Sequence, residues 1–215
     1  LPQGKVTRSQ ALVWGAFLGV VGITLLVVFV NLLTAILTLI SLIGYAVFYT
    51  MYLKRATPQN IVIGGAAGAA PPVLGWTAVA CSNGIEYALL LFLIVFIWTP
   101  PHFWALAIHR KDEYKKAEIP MLPVTHGIAF TRIQILLYTV LLFLVTMLPY
   151  LTGMSGVIYL ICSASLGLLF LGYSIKILLE PENTLIAFKT FKYSINYLLV
   201  LFVGLLVDHY LLMTF

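Results

Sequence analysis

The sequence has very little charge. Only 9% of its 215 residues are Asp, Glu, Lys or Arg, whereas about 25% is typical of soluble globular domains. The hydrophobic fraction is 62%. This composition leaves too little polar surface to cover a water-facing globule, so it excludes a soluble fold, a disordered chain and a nucleic-acid-binding protein. A polytopic helical membrane protein is the class that fits.

Cysteine is also scarce, and no secretory signal is visible. Cys81 and Cys162 form neither a disulfide framework nor a metal-binding spacing. The N-terminus lacks the basic, short apolar and small-residue pattern of a signal peptide. Because the chain begins at Leu1 rather than Met, with eight residues of loop-like composition, we expect it to be truncated at its N-terminus.

What the sequence has in abundance is long apolar runs. Seven are long enough for membrane-spanning helices, which need roughly 17–25 residues. They are continuous rather than alternating, which favours helices over membrane strands. The last run is the weakest, because Asp208 and His209 interrupt it. We therefore predict an all-α bundle with spans at 11–30, 32–53, 61–81, 87–108, 128–150, 156–179 and 193–212.

The positive charges predict the orientation of this bundle. All 12 Lys and Arg residues lie before the first span or around the links that follow spans two, four and six. Such one-sided placement is typical of cytoplasmic loops, so the net charge of +5 indicates orientation and not a nucleic-acid footprint. The residues are Lys5, Arg8, Lys54, Arg55, Arg110, Lys111, Lys115, Lys116, Arg132, Lys176, Lys189 and Lys192.

The fourth span and the link after it carry costly polar groups. His102 and His109 are seven residues apart and so share a helix face; Asp112 and Glu113 follow three and four residues later. If the helix continues into the link, all four side chains form one stripe below a kink at the paired prolines, 100–101. The plainer alternatives are packing histidines and a solvated charged loop.

The third span and its approach offer further candidates. Lys54 and Arg55 are adjacent at the end of the second span, where they serve as orientation anchors or grip an anionic group such as a diphosphate. Gly64 and Gly68 are four residues apart, a spacing that favours close helix packing.

Together these segments resemble the protoheme IX farnesyltransferase family (heme O synthases), within the UbiA-type intramembrane prenyltransferases. The resemblance extends from residue 1 into the fifth span. It rests on Leu-Pro-x-Gly-Lys at 1–5, Lys-Arg-x-Thr-Pro-x-Asn at 54–60, the Gly- and Pro-rich segment 64–76, Trp-Thr-Pro-Pro-His-Phe-Trp at 98–104 and Ile-Pro-Met-Leu-Pro at 119–123.

The resemblance implies a nine-helix bundle that here lacks its first two helices, as one membrane-embedded domain over 1–215. It also implies a cytoplasm-facing cavity in which two acidic motifs hold Mg²⁺ and a prenyl diphosphate. The first motif should lie upstream of residue 1. The second, usually Asp-Asp-Tyr, is Asp112-Glu113-Tyr114 here, and Glu118 stands where Gly is usual.

The implied reaction transfers the farnesyl group of farnesyl diphosphate to a vinyl group of heme b, giving heme O. Asp112 and Glu113 are the expected Mg²⁺ ligands, and Lys54 and Arg55 would neutralise the leaving diphosphate. Tyr49, Tyr52 or Trp104 would shield the allylic cation. The other residues expected to contact substrates are Asn60, His102, His109, Arg110 and Tyr114.

Three alternatives stay open at this point. Another intramembrane prenyltransferase, with an aromatic acceptor such as 4-hydroxybenzoate, would leave the motif at 98–104 unexplained. A transporter would place polar groups near the middle of the membrane and would be built from two repeated halves. A structural subunit would need no stripe of histidines and carboxylates. The expected setting is a bacterial cytoplasmic membrane, or else a mitochondrial inner membrane. A heme A synthase or a terminal oxidase are the expected protein partners.

Overall fold

A computed structural model describes residues 6–181 and 183–213. Throughout that part of the chain the regular elements are helical, and seven helices are long and apolar enough to cross a membrane. The predicted all-α, seven-span architecture is confirmed. The helices are α1 (Arg8–Phe29), α2 (Leu32–Leu53), α3 (Asn60–Ala80), α4 (Ile85–His109), α5 (Gly127–Leu151), α6 (Val157–Leu179) and α7 (Thr184–Met213).

Two of the helices are interrupted next to prolines. α3 consists of Asn60–Gly68 and Pro71–Ala80, with a break just before the proline pair. α5 is interrupted at 146–147, ahead of a last turn at Leu148–Leu151. In contrast, the prolines at 100–101 are buried inside the continuous helix α4.

The start of α7 was predicted wrongly. The helix begins at Thr184, nine residues before the predicted start at 193. Its first turns are amphipathic: Ile186 and Ala187 are buried, whereas Lys189 and Lys192 are exposed. The two lysines lower the local hydropathy but point away from the bundle, so hydropathy placed the boundary too late.

With the helix boundaries that the structure shows, the Lys and Arg residues still lie at one end of the bundle. In a bundle of seven crossings, the start of α1 and the links after α2, α4 and α6 lie on the same side. The Lys and Arg positions in the described ranges fall in these places or within the adjoining helical turns. Lys5 lies outside the described residues. We call this side the charged end.

Asn31 forms the tight turn between α1 and α2. Its side-chain oxygen accepts a hydrogen bond from the N–H of Thr34 at 2.8 Å, which caps α2. Its Nδ2 donates to the carbonyl of Thr77 on α3 at 2.8 Å. The hydroxyl of Thr34 also donates to that of Thr77 at 2.9 Å, so polar contacts at membrane depth join α2 to α3.

The core lies around α4, and α1 lies at the periphery. The part of the chain that the structure describes buries no residue of α1 but about half of α4, including Trp104 and Ala105. Exposed apolar side chains on the other helices face outward, where lipid would surround them.

Asp208, which weakened the hydropathy of the last span, joins α7 to α6. Its carboxylate is 1% exposed. It accepts hydrogen bonds from Ser155 Oγ at 2.6 Å, from the N–H of Gly156, and from the N–H of Tyr159 at 3.1 Å. The carboxylate therefore satisfies N–H groups at the start of α6, where the helix dipole also favours negative charge.

Replacing this carboxylate should destabilise the bundle. We expect Asp208→Ala to lower the free energy of unfolding by roughly 1–3 kcal/mol, because it leaves buried donors unpaired. Thermal unfolding in detergent measures the change. His209→Ala, next to it on the exposed side of α7, is the control and should change stability little. Equal stability of both variants would contradict the capping role.

Candidate functional site

A cavity of about 220 Å³ lies between α2, α3 and α4, beside the halves of α2 and α3 that are nearer the charged end. Most of its lining residues are aromatic residues or glycines. The aromatic rings make the surface apolar, and the glycines, which lack a Cβ, leave space next to the backbone of α3. The lining residues are Tyr45 and Tyr49 from α2, Ile61, Gly64, Gly65 and Gly68 from α3, and Val95, Trp98, Thr99 and Phe103 from α4.

The tyrosines of this wall lie on a widened part of α2. Residues Gly44–Leu53 are π-helical, an uncommon conformation that is often found at functional sites. Thr50 Oγ1 donates to the carbonyl of Tyr45 at 2.9 Å. The rings of Tyr45 and Tyr49 stack with centroids 5.3 Å apart. Both rings thus reach the cavity from adjacent turns.

Glycines on α3 let the tyrosine and threonine side chains approach the backbone. A Cβ at Gly64 would lie 2.2 Å from the ring of Tyr49, and one at Gly65 would lie 3.0 Å from Thr99. The packing role predicted for Gly64 is therefore confirmed. A Cβ at Gly68 would meet no atom within 4 Å; this residue faces the cavity and does not form a helix contact.

Of the three aromatic residues expected to shield a cation, Tyr49 lines the cavity. Tyr52 is 64% exposed, and Trp104 is 1% exposed within the core. Trp98 and Phe103, from the motif at 98–104, stand in the cavity wall instead. The aromatic wall of the cavity therefore combines one residue expected in this role, Tyr49, with three that were not expected in it: Tyr45, Trp98 and Phe103.

The expected stripe along α4 does not form as one helix. α4 ends at His109, and Arg110 leaves the helical region with φ −105° and ψ 26° before a new helix, Lys111–Lys116. The prediction of a continuous helical face was therefore wrong. Asp112 and Glu113 occupy the first turn of the new helix and are exposed, with Glu113 Oε2 3.7 Å from Arg110 Nη1.

His102 and His109 do share one face of α4, as their spacing predicted, but this face packs on α7. His102 is 7% exposed; its ring lies 4.1 Å from that of Trp98 and 4.6 Å from that of Phe191, centroid to centroid. His109 is exposed at the helix end and stacks on Phe188 at 4.7 Å. These contacts match the packing alternative, and a role in binding heme stays a prediction.

The turn between α2 and α3 is held by Asn60. Its Nδ2 donates to the carbonyl of Lys54 at 3.1 Å, and the residue is fully buried. No described residue pairs with its Oδ1. The Lys54 side chain is exposed, so it is free to reach an anion. The side chain of Arg55 lies outside the described residues.

Tyr114 connects the charged link to the cavity. It packs on the core around Trp104 and lies near Tyr49. Burial raises the pKa of the Tyr114 phenol; nearby Arg110 opposes the rise and Glu113 adds to it. The phenol therefore stays a neutral hydrogen-bond donor at physiological pH.

The Mg²⁺ site expected at Asp112 and Glu113 stays a prediction. No group of three or more His, Cys, Asp or Glu side chains arranged for a metal occurs within 6–181 and 183–213. The two exposed carboxylates are hard oxygen donors of the kind Mg²⁺ prefers. Two carboxylates would leave most positions of an octahedral Mg²⁺ ion to other ligands, such as phosphate oxygens and water.

Residues 1–196 match the UbiA prenyltransferase family. The chain belongs to this family. It is 71% identical over 210 residues to a protoheme IX farnesyltransferase from Ruthia magnifica subsp. Calyptogena magnifica, covering 98% of this chain and 70% of that protein. It is 59% identical over 213 residues to the protoheme IX farnesyltransferase of Methylococcus capsulatus, covering 99% of this chain and 71% of that protein.

The fold of this UbiA-family chain is also found in a solved structure. That structure concerns digeranylgeranylglyceryl phosphate synthase in membranes, and the two match with a TM-score of 0.82 over 97% of this chain and 72% of the other. At 23% identity the likeness shows a common fold alone. The membrane-embedded prenyltransferase class inferred from the sequence motifs is confirmed.

Sequence reasoning missed two features of the site in this UbiA-family chain. Ser194 on α7 contacts both Trp98 and His102. The signal available was the single serine of the last predicted span, three residues after Phe191. The π-helical form of Gly44–Leu53 had no usable signal, since its sequence is that of an ordinary apolar helix.

Glu118, where the family usually has Gly, adopts a left-handed conformation with φ 54°. This backbone region costs an L-residue roughly 1–2 kcal/mol, which explains why Gly is suited to the position. We expect Glu118→Gly to raise the free energy of unfolding by about 1 kcal/mol. Ala117→Gly, at the adjacent φ of −84°, should instead lower it by roughly 0.5–1 kcal/mol. Unfolding in detergent compares them, and equal signs would refute the assignment of backbone strain.

Proposed function

We propose that this chain transfers the farnesyl group of farnesyl diphosphate to a vinyl group of heme b, giving heme O and diphosphate. The observation that carries the proposal is identity of 58–71%, over nearly the whole chain, to proteins named protoheme IX farnesyltransferase. The aromatic motif at 98–104 supports it, because its Trp98, Thr99 and Phe103 side chains line the cavity.

The farnesyl chain lies in the apolar cavity and continues along α2. A groove of about 460 Å³ adjoins the cavity and shares Tyr45 and Gly68 with it. Its other walls include Thr38, Leu42 and Leu74, so the groove runs from the charged end towards the membrane interior. Burying an isoprenoid tail there removes apolar surface from water, which favours binding.

The diphosphate lies at the charged end, where Lys54, Arg55 and Arg110 offer cationic donors. Asp112 and Glu113 would hold Mg²⁺ against the diphosphate oxygens; bound there, the metal stabilises the negative charge of the leaving group. The bond between the allylic carbon and the diphosphate oxygen breaks, and the oxygen keeps the electron pair. Tyr114, as a neutral phenol, donates a hydrogen bond near this end of the cavity.

The allylic carbon that remains is electron-poor, and the cavity wall suits it. Tyr49, Trp98 and Phe103 present aromatic rings, whose faces attract cations. Their apolar surfaces also exclude the water that would otherwise trap the farnesyl cation. The vinyl electrons of heme b then form the new carbon–carbon bond and leave the positive charge on the other vinyl carbon. Water adds to that carbon and releases one proton to the diphosphate or to solvent, which gives the hydroxyl group of heme O.

The charged end faces the cytoplasm of a bacterial inner membrane in this proposal. The one-sided Lys and Arg distribution supports the orientation, and the relatives named above are bacterial. Heme O made at this face would be consumed by a heme A synthase or a terminal oxidase.

Membranes containing the protein should convert heme b to heme O when given farnesyl diphosphate and Mg²⁺. Asp112→Asn should lower that rate by about 10²–10³-fold, since it removes charge that stabilises the leaving group. Glu180→Gln removes an exposed carboxylate from another link at the same end and is the matched control. Pigment extraction and chromatography measure the product.

Two results would overturn the proposal. Prenylation of 4-hydroxybenzoate in place of heme b would identify a different acceptor. An Asp112→Asn variant as active as Glu180→Gln would show that the carboxylate is only a surface charge.

Filling the cavity should weaken binding of the prenyl substrate. We expect Gly68→Phe to raise the KM for farnesyl diphosphate by about tenfold or more, corresponding to the loss of one or two buried methylene contacts. Gly75→Phe is the matched control, because a side chain there also meets nothing within 4 Å but lies outside the cavity. Equal KM values in steady-state assays would place the farnesyl chain elsewhere.

A further inference from the structure

Ser194 connects α7 to the cavity wall through two neighbouring side chains of α4. It is fully buried. Its carbonyl accepts a hydrogen bond from Trp98 Nε1 at 2.8 Å, and its Oγ lies 2.7 Å from His102 Nδ1. Trp98 in turn lines the cavity. One residue of α7 therefore fixes both the aromatic wall and the adjacent imidazole.

The hydrogen bonds around Ser194 determine which ring nitrogen of His102 carries the proton. A serine hydroxyl has one proton to donate. Ser194 Oγ donates it to the carbonyl of Phe191 at 2.6 Å. The oxygen then meets His102 Nδ1 only as an acceptor, so Nδ1 must be the protonated nitrogen. If Ser194 donated its proton to His102 Nδ1 instead, Ser194 Oγ and the carbonyl oxygen of Phe191 would lie 2.6 Å apart with no proton between them.

The surroundings of His102 favour a neutral ring. Trp98 stacks on it with an interplanar angle of 19°, and Phe191 covers it at 30°. Burying an unpaired charge among such apolar groups is costly. A neutral imidazole that is protonated on Nδ1 has its lone pair on Nε2.

We propose that Ser194 is a positioning residue that locks His102 in the Nδ1–H tautomer and so keeps Nε2 as a lone-pair donor for the heme substrate. Nitrogen lone pairs of this kind ligate iron or accept protons. The part of the proposal that concerns heme rests on the proposed function. The tautomer itself rests on the hydrogen-bond geometry alone.

The tautomer is measured directly by ¹⁵N NMR of histidine-labelled protein in detergent, without heme or farnesyl diphosphate. The sequence has four histidines, and the His102 signals are those lost in His102→Asn. We expect the wild type to show a protonated Nδ1 and an unprotonated Nε2. Ser194→Ala should move these signals towards a tautomer mixture. A protonated Nε2 in the wild type, or unchanged signals in Ser194→Ala, would overturn the proposal.

Ser163→Ala is the matched control. Ser163 is a fully buried helical serine whose Oγ donates to the carbonyl three residues earlier, Leu160, at 3.1 Å, as Ser194 does to Phe191. Losing it removes the same kind of bond on α6. The His102 signals should stay as in the wild type. An equal change in this variant would mean that the loss of any buried serine hydrogen bond shifts the His102 tautomer, and that the contact with Ser194 is not the cause.

Heme binding tests the functional half of the proposal. Loss of a residue that orients a metal-binding histidine typically costs 10–100-fold in affinity. Absorbance titration with heme b should therefore show a roughly 10–100-fold weaker affinity in Ser194→Ala, with an unchanged KM for farnesyl diphosphate. Unchanged heme affinity alongside a shifted tautomer would overturn this half. If the wild type bound no heme at all, the proposed function would fail while the tautomer result still stood.

Discussion

The structure depends on one constraint: polar groups at membrane depth must find partners within the chain, because lipid offers none. Asn31 shows this at the first turn, where it caps α2 and bonds across to α3. Asp208 shows it at the last span, where it satisfies the start of α6. His102 does the same on α4 by bonding to α7. These three polar residues, which appear costly in the sequence, each link two helices and so help to fix how the bundle is assembled.

The same constraint separates the site into two chemically different parts. The apolar part is the aromatic cavity between α2, α3 and α4, which is shaped by close approach of Tyr49 to Gly64. The polar part is the charged link, where Asp112 and Glu113 are exposed. Tyr114 lies between them, packed on the core yet close to Tyr49. A substrate with an apolar tail and an anionic head matches this division.

Much of the fold could be predicted, and the two errors have separate causes. Hydropathy correctly gave seven spans, since only long apolar helices are stable in lipid. It placed the start of α7 too late, because Lys189 and Lys192 lie on the outward face of an amphipathic turn. It placed the end of α4 correctly, at 108 against the observed His109. The single polar stripe did not form because Arg110 leaves helical geometry between α4 and the helix Lys111–Lys116. A change in the two backbone angles of one residue leaves no trace in the spacing of polar and apolar residues along the sequence.

The sequence by itself determined the membrane class, the number of spans, the charged end and the prenyltransferase family, because composition and contiguous motifs carry that information. Only the tertiary structure decided which motif residues meet. It placed Trp98 and Phe103 in the cavity wall, turned His102 towards α7, and brought Ser194 beside it from 92 residues away in the chain. Contacts of this kind depend on how helices rotate and pack against one another, and a hydrophobic helix has apolar residues on every side that could face its neighbours.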